Sequence, residues 1–155
     1  MFLCGGVRHE LIDLAQLQRG GVAFVVDADG NLRWTHLTDG DVYSSPAIAP
    51  DGNTLYVGSQ DGRFHALGRN GSELWTFATK GIGTGEPGAI HASPAIGANG
   101  SIYVGGLYDP NLYALDPNGG SMKWACCFGE PFDTGDPNTS IVGGWPFASP
   151  VVTPD

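Results

Sequence analysis

Basic residues are scarce in this sequence, and so are long apolar runs. Seven Lys and Arg stand against sixteen Asp and Glu, which gives a formal net charge of −9. A surface this acidic repels phosphate groups, so we expect no nucleic-acid partner. No apolar run approaches the roughly 20 residues of a membrane-spanning helix, and residues 1–6 lack the basic and apolar regions of a secretion signal. The sequence therefore predicts no membrane span and leaves the compartment open.

Metal-binding patterns are sparse as well. Cys4, Cys126 and Cys127 lack zinc-ligand spacing, and the four histidines share none. Neighbours on a strand point to opposite faces, so the predicted strand position of Cys126 and Cys127 favours packed thiols over a vicinal disulfide. The segment Asp27 to Asn31 is similar to the start of a calcium loop but lacks the glutamate expected at its twelfth position. We predict a hairpin turn there and no metal site.

Glycine, in contrast, is abundant. The 155 residues include 25 glycines, 15% of the residues are charged and 41% are hydrophobic. This composition is typical of a folded domain made of many short strands joined by tight turns. The chain is long enough to bury one core, and we treat residues 1–155 as a single domain.

Three features recur in the same order along the chain. They are an apolar strand ending in glycine, a strand and glycine turn with a tryptophan four residues after the glycine, and a Ser-Pro pair followed by two apolar residues. The apolar strand occurs at 1–6, 54–59 and 101–106. The strand, turn and tryptophan occur at 25–34, 66–75 and 114–124, and the Ser-Pro feature occurs at 45–48, 93–96 and 149–152. The tryptophans are 41 and 49 residues apart and the Ser-Pro pairs 48 and 56. These are the periods of four-stranded β-propeller blades.

The repeat predicts an all-β fold, a β-propeller of four-stranded antiparallel blades with about three blades in an incomplete ring. With the strands of a blade lettered a to d, the predicted order is b-c-d, a-b-c-d, a-b-c-d, a. In the second unit the predicted strands are 46–49, 54–59, 63–68 and 74–79, joined by Asp-Gly and Asn-Gly turns that allow a positive φ. The predicted blades are 1–38, 44–79 and 91–128, followed by the start of a fourth at 147–155. The first blade lacks strand a and has a short helix inserted at 7–20. Long connections are predicted at 80–90 and 129–146.

The third unit contains Ala114-x-Asp116-x-x-Gly119-Gly120-x-x-x-Trp124. It resembles the tryptophan-docking motif of the PQQ-like (quinoprotein dehydrogenase-like) β-propeller superfamily, with Gly119 where that family usually has Thr. The other two units resemble the motif with one residue fewer in the turn. The resemblance implies that each tryptophan lies flat against a neighbouring blade, beside a small residue and a glycine turn. The docking residues so predicted are Trp34, Trp75, Trp124, Gly30, Gly71, Gly120, Ala66 and Ala114.

The resemblance leaves the function open. Enzymes of this superfamily hold pyrroloquinoline quinone (PQQ) and Ca²⁺ near the propeller axis, but no cofactor platform, calcium ligand set or catalytic residue can be assigned in this sequence. We therefore expect a non-catalytic binding or scaffold propeller, similar to those of bacterial outer-membrane assembly, for a protein or a small polar or carbohydrate ligand, with no cofactor. One alternative is a fragment of a PQQ-dependent dehydrogenase. Another is that the chain forms half of a six-bladed ring, which a second copy of the chain completes. The ring could also be completed by the remainder of a longer chain.

Any ligand site is expected at one rim of the propeller. The residues before each strand a and those of the b–c turns meet there, at the mouth of the central channel. Aromatic rings interleaved with acidic, amide and imidazole groups suit a sugar or a peptide; the alternative is that these side chains only seal the rim. The candidates are Asp41, Tyr43, Gln60, Asp61, His91, Tyr108, Asp109, Trp145 and Phe147.

Overall fold

The computed structural model describes residues 21–80, 88–107, 109, 111–127, 131–133, 140–142, 149–150 and 152. Within this part of the chain every regular element is a β-strand, as the repeat predicts. No helix among these residues is long and apolar enough to cross a membrane. The first predicted strand and the helix predicted at 7–20 lie outside the described residues.

Two complete four-stranded antiparallel sheets follow each other along the chain. We term them blade 2, with strand order β3-β4-β5-β6, and blade 3, with order β7-β8-β9-β10. The hairpin β1-β2 represents strands c and d of blade 1. The strands are β1 Val22–Val26, β2 Leu32–Leu37, β3 Ala47–Ile48, β4 Thr54–Gly58, β5 Arg63–Gly68, β6 Glu73–Ala78, β7 Ala95–Ile96, β8 Ile102–Gly105, β9 Asn111–Leu115, β10 Met122–Cys127, β11 Pro131–Asp133 and β12 Ser140–Val142.

Local sequence dictates the strands and turns of the blades. In blade 2 the ends of all four strands lie within one residue of those predicted from the repeat. The turn after β1 is a hairpin held by its own aspartate, because Asp27 Oδ1 accepts hydrogen bonds from the backbone N–H groups of Asp29 and Asn31. The hairpin turn predicted at this segment is therefore confirmed.

The connection after blade 3 contains an element that the sequence did not predict. The strands β11 and β12 pair antiparallel, with Pro131 opposite Val142 and Asp133 opposite Ser140. The Gly and Pro content of 129–146 argued for an irregular connection. A long connection leaves many backbone groups unpaired, however, and a short hairpin lets them satisfy one another.

The hydrophobic core lies between the blades rather than inside one sheet. One cluster joins blades 2 and 3 and includes Tyr56, Phe64 and Tyr113, each at most 2% exposed. A second cluster joins blades 1 and 2 and includes Ala23 and Leu67. Each blade therefore buries both of its faces only where it has a neighbour on each side, and the contact between successive blades positions the rim.

One expectation about packing was wrong. Cys126 was predicted to be packed as a small apolar group, but it is exposed. It lies on β10, which has a strand neighbour on one side only in the order of its sheet. A strand at the end of a sheet packs only where another blade or loop covers its faces, and the strand order of one blade does not tell whether such a cover is present.

Candidate ligand-binding site at the rim

The segments that precede the first strands of successive blades lie side by side. The backbone N–H of Ser45 donates to the hydroxyl of Ser93 over 2.8 Å, and the N–H of Ser93 donates to the hydroxyl of Ser149 over 2.9 Å. The three serines occupy the same repeat position, directly before the proline. This serine row fixes the spacing of the segments in front of it, which carry several of the predicted binding residues.

Four of the predicted binding residues meet beside this row. Gln60 Nε2 lies 3.1 Å from His91 Nε2, and the His91 ring packs on that of Tyr43, with centroids 5.1 Å apart and planes tilted by 57°. The Tyr43 hydroxyl donates to Asp41 Oδ2 over 3.4 Å. The backbone N–H of Gln60 donates to the carbonyl of Asp41 over 2.8 Å. We term these four residues the rim cluster.

The rim cluster combines an exposed ring with polar groups. Tyr43 is 62% exposed, Asp41 and Gln60 are exposed and His91 is half-buried. The amide of Gln60 and the imidazole of His91 are thus within hydrogen-bond distance of each other. An aromatic face next to a carboxylate and an amide can pack on a sugar ring or a peptide and bond its hydroxyl or amide groups.

Asp109 was also a candidate, but its carboxylate is occupied. The residue is 1% exposed. It accepts hydrogen bonds from the backbone N–H groups of Lys80 and Asn111 and from the hydroxyl of Tyr113. Burial, followed by the hydrogen bond and charge of Asp109, raises the pKa of Tyr113 to about 12. Asp109 thus ties blade 3 to the segment that follows the last strand of blade 2.

Asp61 has the same role one blade earlier. Its Oδ1 accepts from the backbone N–H of Arg63 over 2.8 Å, and its Oδ2 from that of Asp39, just after the last strand of blade 1, over 3.2 Å. The same Oδ2 lies 3.4 Å from His65 Nε2, and the Asp61 side chain is 7% exposed. Asp61 and Asp109 are therefore equivalent latches between successive blades.

The remaining candidates Tyr108, Trp145 and Phe147 lie outside the described residues and stay predictions. The rim cluster is thus built from four of the nine candidates, and a further two of them hold blades together.

The described residues do not fit a PQQ and Ca²⁺ site. Calcium requires six to eight oxygen ligands, but the buried carboxylates of Asp61 and Asp109 are already engaged by backbone N–H donors. The indoles of Trp34 and Trp75 lie against the turns of the next blade, which leaves neither as a platform for a flat quinone. We assign no chemistry to PQQ in the described part of the chain.

Trp75 of blade 2 contacts the c–d turn of blade 3. Its Nε1 donates to the carbonyl of Pro117 over 3.0 Å. Its ring lies so close to Gly120 that a Cβ atom built there would be 2.3 Å from Trp75 Cε3. Ala66 is the cross-strand partner of Trp75 within blade 2. The small residue therefore lies beside the indole in its own sheet, while the glycine turn comes from the next blade.

Trp34 repeats this arrangement between blades 1 and 2. Its Nε1 donates to the carbonyl of Arg69 over 2.8 Å, and a Cβ on Gly71 would be 2.7 Å from the ring atom Cδ2. Trp124, the third tryptophan of the repeat, pairs across the strands with Ala114 but is 45% exposed. These contacts follow the repeat from one blade to the next.

The structure also brings together titratable groups that sequence reasoning missed. His36 of β2, His65 of β5 and Glu73 of β6 place their ligand atoms within 4.8 Å of one another. They are 29 and 8 residues apart and come from two blades, so local spacing carries no sign of them. The available signal was the repeat alignment, in which the two histidines occupy the positions of Phe77 and Tyr113.

The two histidines have opposite pKa shifts. Burial, followed by the nearby His65, lowers the pKa of His36. Burial also lowers the pKa of His65, but the interactions with Asp61 and Glu73 outweigh burial, so the net shift is upward. The carboxylates of Asp61 and Glu73 thus distinguish the two imidazoles, although both rings are partly or fully buried.

Comparisons with known proteins support the fold. No family model matches the sequence, and no curated protein matches it. Among solved structures, the crystal structure of BamB from Moraxella catarrhalis matches with a TM-score of 0.59 and 18% identity, over 74% of this chain and 32% of that chain. This chain thus spans about a third of the length of that neighbour. At such low identity the likeness shows the fold alone: an all-β, incomplete β-propeller.

Proposed function

We propose that this chain is a non-catalytic PQQ-like β-propeller module that binds a protein or a small polar or carbohydrate ligand, without PQQ. The observation that carries the proposal is the rim cluster. It joins the segment before strand a of blade 2, the b–c turn of blade 2 and the segment before strand a of blade 3. Clefts where several elements converge around an aromatic ring and a few polar groups are the usual form of a ligand site.

The charge of the chain narrows the ligand class. The net charge is −9, and Asp41 places a carboxylate in the rim cluster itself. An anionic ligand would meet repulsion at this rim, whereas a neutral sugar or an uncharged or basic peptide would not. The fold likeness to BamB is consistent with a binding or scaffold module but does not identify the partner.

The rigidity needed for such a module comes, in this proposal, from tryptophan docking. The contacts that support it are the indole hydrogen bonds to Arg69 and Pro117 and the close approach to Gly71 and Gly120. A docked indole buries a large apolar surface and satisfies its one N–H donor at the same time. Each blade is thereby fixed relative to the next, and residues of two blades keep one geometry at the rim.

Ring completion is a separate part of the proposal. Among the described residues, Trp124 is 45% exposed, and no atom lies within 4 Å of a Cβ built on Gly30, the equivalent of Gly71. Further blades of a longer chain, or a second copy, would cover these two faces. Solution mass by light scattering separates a dimer, expected if copies complete the ring, from a monomer.

The binding proposal is tested with the tagged chain on an array of neutral and acidic oligosaccharides and on a peptide display library. We expect hits among neutral sugars or uncharged or basic peptides. Tyr43→Ala and His91→Ala should each lose at least tenfold in affinity, because each variant removes a ring from the rim cluster. Leu74→Ala is the control, since Leu74 is also exposed, at 54%, but lies on β6.

Two results would overturn the proposal. One is a ligand that binds the Tyr43→Ala and wild-type proteins equally. The other is stoichiometric uptake of PQQ with Ca²⁺, seen as quinone absorbance that co-purifies with the protein, which would favour the dehydrogenase alternative.

A further inference from the structure

The two blade interfaces use the same geometry with different chemistry. Between blades 2 and 3, the rings of Phe77 and Tyr113 meet edge to face, with centroids 5.0 Å apart at 62°. Between blades 1 and 2, His36 and His65 meet at 5.5 Å and 62°. His36 and Phe77 each lie two residues after the tryptophan of the repeat, and His65 and Tyr113 each lie four residues after the latch aspartate.

A third position changes together with these two. Glu73 lies two residues before Trp75, and Met122 lies two residues before Trp124. The three repeat positions thus hold two aromatic residues and a methionine at one interface, and two histidines and a glutamate at the other. All three positions therefore hold metal-ligand residues at the interface of blades 1 and 2. The interface of blades 2 and 3 has no such residue at these positions and serves as an internal reference.

Two of the three donor–donor distances in this group match those of a tetrahedral metal site. Glu73 Oε2 lies 3.0 Å from His65 Nδ1 and 3.5 Å from His36 Nε2, and all donor atoms are within 4.8 Å of one another. Zinc at about 2.0–2.2 Å from each ligand spaces tetrahedral donors by roughly 3.3 Å. The carboxylate oxygen is therefore at the required separation from both rings already.

The histidines also carry buried nitrogens that lack a satisfied bond. Among the described residues, Nε2 of His36 and Nε2 of His65 are buried side-chain atoms without a hydrogen-bond partner. His65 itself is 4% exposed. A buried polar atom left unpaired costs stability, and coordination of His36 Nε2 would remove that cost.

The surroundings of His65 resemble the second layer of a metal site. With Nδ1 facing Glu73, the other ring nitrogen lies 3.4 Å from Asp61 Oδ2. Asp61 is held in turn by two backbone N–H donors. A carboxylate beside the non-coordinating nitrogen is the usual means of orienting a ligand histidine. The Glu73 side chain is 43% exposed, which gives an ion a route in and leaves room for water as a fourth ligand.

We propose that His36, His65 and Glu73 form a binding site for a zinc-type divalent metal ion at the interface of blades 1 and 2. The ion bonds to one ligand from blade 1 and two from blade 2, so it links the blades. Two imidazoles and one carboxylate suit Zn²⁺ and its neighbours in the first transition series over Ca²⁺ or Mg²⁺, which prefer oxygen ligands. The site is separate from the rim cluster and does not depend on its function.

The test is calorimetric titration of the chelator-treated chain with ZnCl₂, and with CaCl₂ as a comparison. We expect one Zn²⁺ bound per chain, no measurable binding of Ca²⁺ at this site, and a Tm that rises with the Zn²⁺ concentration. In His36→Phe/His65→Tyr, which installs the residues of the blade 2–3 interface, we expect the Zn²⁺ affinity to fall by more than about 100-fold.

A second variant keeps the test decisive if the double variant fails to fold. Glu73→Gln preserves shape and removes the carboxylate charge, and should weaken Zn²⁺ binding by at least tenfold. Asp29→Asn, at an exposed carboxylate outside the cluster, should leave it unchanged. Co²⁺ in place of Zn²⁺ should give the intense visible absorption of a tetrahedral site, absent in Glu73→Gln. Unchanged Zn²⁺ affinity in the folded variants, or no binding of Zn²⁺ to the wild type, overturns the proposal.

Discussion

The indole of Trp75 covers the backbone of Gly120 so closely that no Cβ atom fits between them. A Cβ on Gly120 would lie 2.3 Å from Trp75 Cε3, and the indole N–H donates to the carbonyl of Pro117 in the same turn. The turn of blade 3 is thus shaped around the side chain of blade 2. Because Trp34 meets Gly71 in the same way, the relationship belongs to the repeat and gives several of the predictions below.

Alanine substitutions at the glycine turns can distinguish the cost of backbone strain from the cost of displacing a docked indole. Gly30, Gly71 and Gly120 have φ values of 85°, 83° and 68°, so alanine at each costs about 1–2 kcal/mol through its left-handed conformation. Gly71→Ala and Gly120→Ala must also displace an indole, which we expect to cost about 1–3 kcal/mol more. Urea unfolding of the three variants measures the difference. Equal losses at Gly30 and Gly120 would contradict the docking interpretation.

The loss of stability on removal of an indole should depend on whether a turn of the next blade covers that indole. We expect Trp75→Ala to lower the free energy of unfolding by about 3–5 kcal/mol, because it leaves a cavity between blades 2 and 3. Trp124→Ala should cost less than half as much, since that side chain is 45% exposed. Denaturant unfolding monitored by circular dichroism gives both values. A loss below about 1 kcal/mol for Trp75→Ala would show that the contact is not stabilising.

Alanine should destabilise the protein more at Ser93 than at Ser45, although both belong to the serine row. Ser93→Ala removes the hydroxyl that accepts from the Ser45 N–H, and we expect a loss of about 1 kcal/mol. Ser45→Ala keeps the N–H donor of that bond, so its cost should be close to zero. Thermal unfolding of the two variants checks this, and a larger loss in Ser45→Ala than in Ser93→Ala would contradict it.

The buried tyrosine of blade 3 should produce an alkaline loss of stability. Burial and Asp109 raise the pKa of Tyr113 to about 12 in the folded chain, against about 10 in an unfolded chain. The folded state holds this proton more tightly, so its contribution to stability is complete below pH 10 and is lost as the pH rises toward 12.

Two measurements check the alkaline prediction. The tyrosinate absorbance should show a step near pH 12 that vanishes in Tyr113→Phe. Burial also raises the pKa of Tyr56, so the variant is needed to assign the step to Tyr113. The variant should also lose less stability than the wild type between pH 10 and 12. A wild-type titration in which every tyrosine ionises near pH 10 would exclude the Asp109–Tyr113 hydrogen bond.

The repeat in the sequence was sufficient for the strands of the blades. Tight turns depend on a few neighbouring residues, such as Asp27 with Asn31 or the glycines of positive φ, and strand bonds in a blade join segments that are consecutive in the chain. The strand ends of blade 2 were predictable within one residue for this reason. The hairpin β11-β12 was not, because its short strands lie in a segment whose Gly and Pro content predicts a loop.

The rim shows how much of a candidate site can be predicted from residue types in the sequence. Aromatic and polar residues before strand a indicated Asp41, Tyr43 and His91, the b–c turn indicated Gln60, and these four do meet. The same reasoning could not distinguish Asp109, whose buried carboxylate is consumed by three partners from two blades. Hydrogen-bond saturation is a property of the packed interface, and no spacing within one repeat reveals it.

The amino-acid sequence by itself determined the β-propeller repeat, its turns and the tryptophan position in each unit, because those features arise from interactions over a few residues and recur three times. The tertiary structure alone decided which side chains meet across blades. His36 and His65 are 29 residues apart in the chain yet in ring contact, and Cys126, on the last strand of blade 3, is exposed. Contacts between blades depend on how the sheets stack, and that stacking is set by the whole set of docked faces rather than by any local segment.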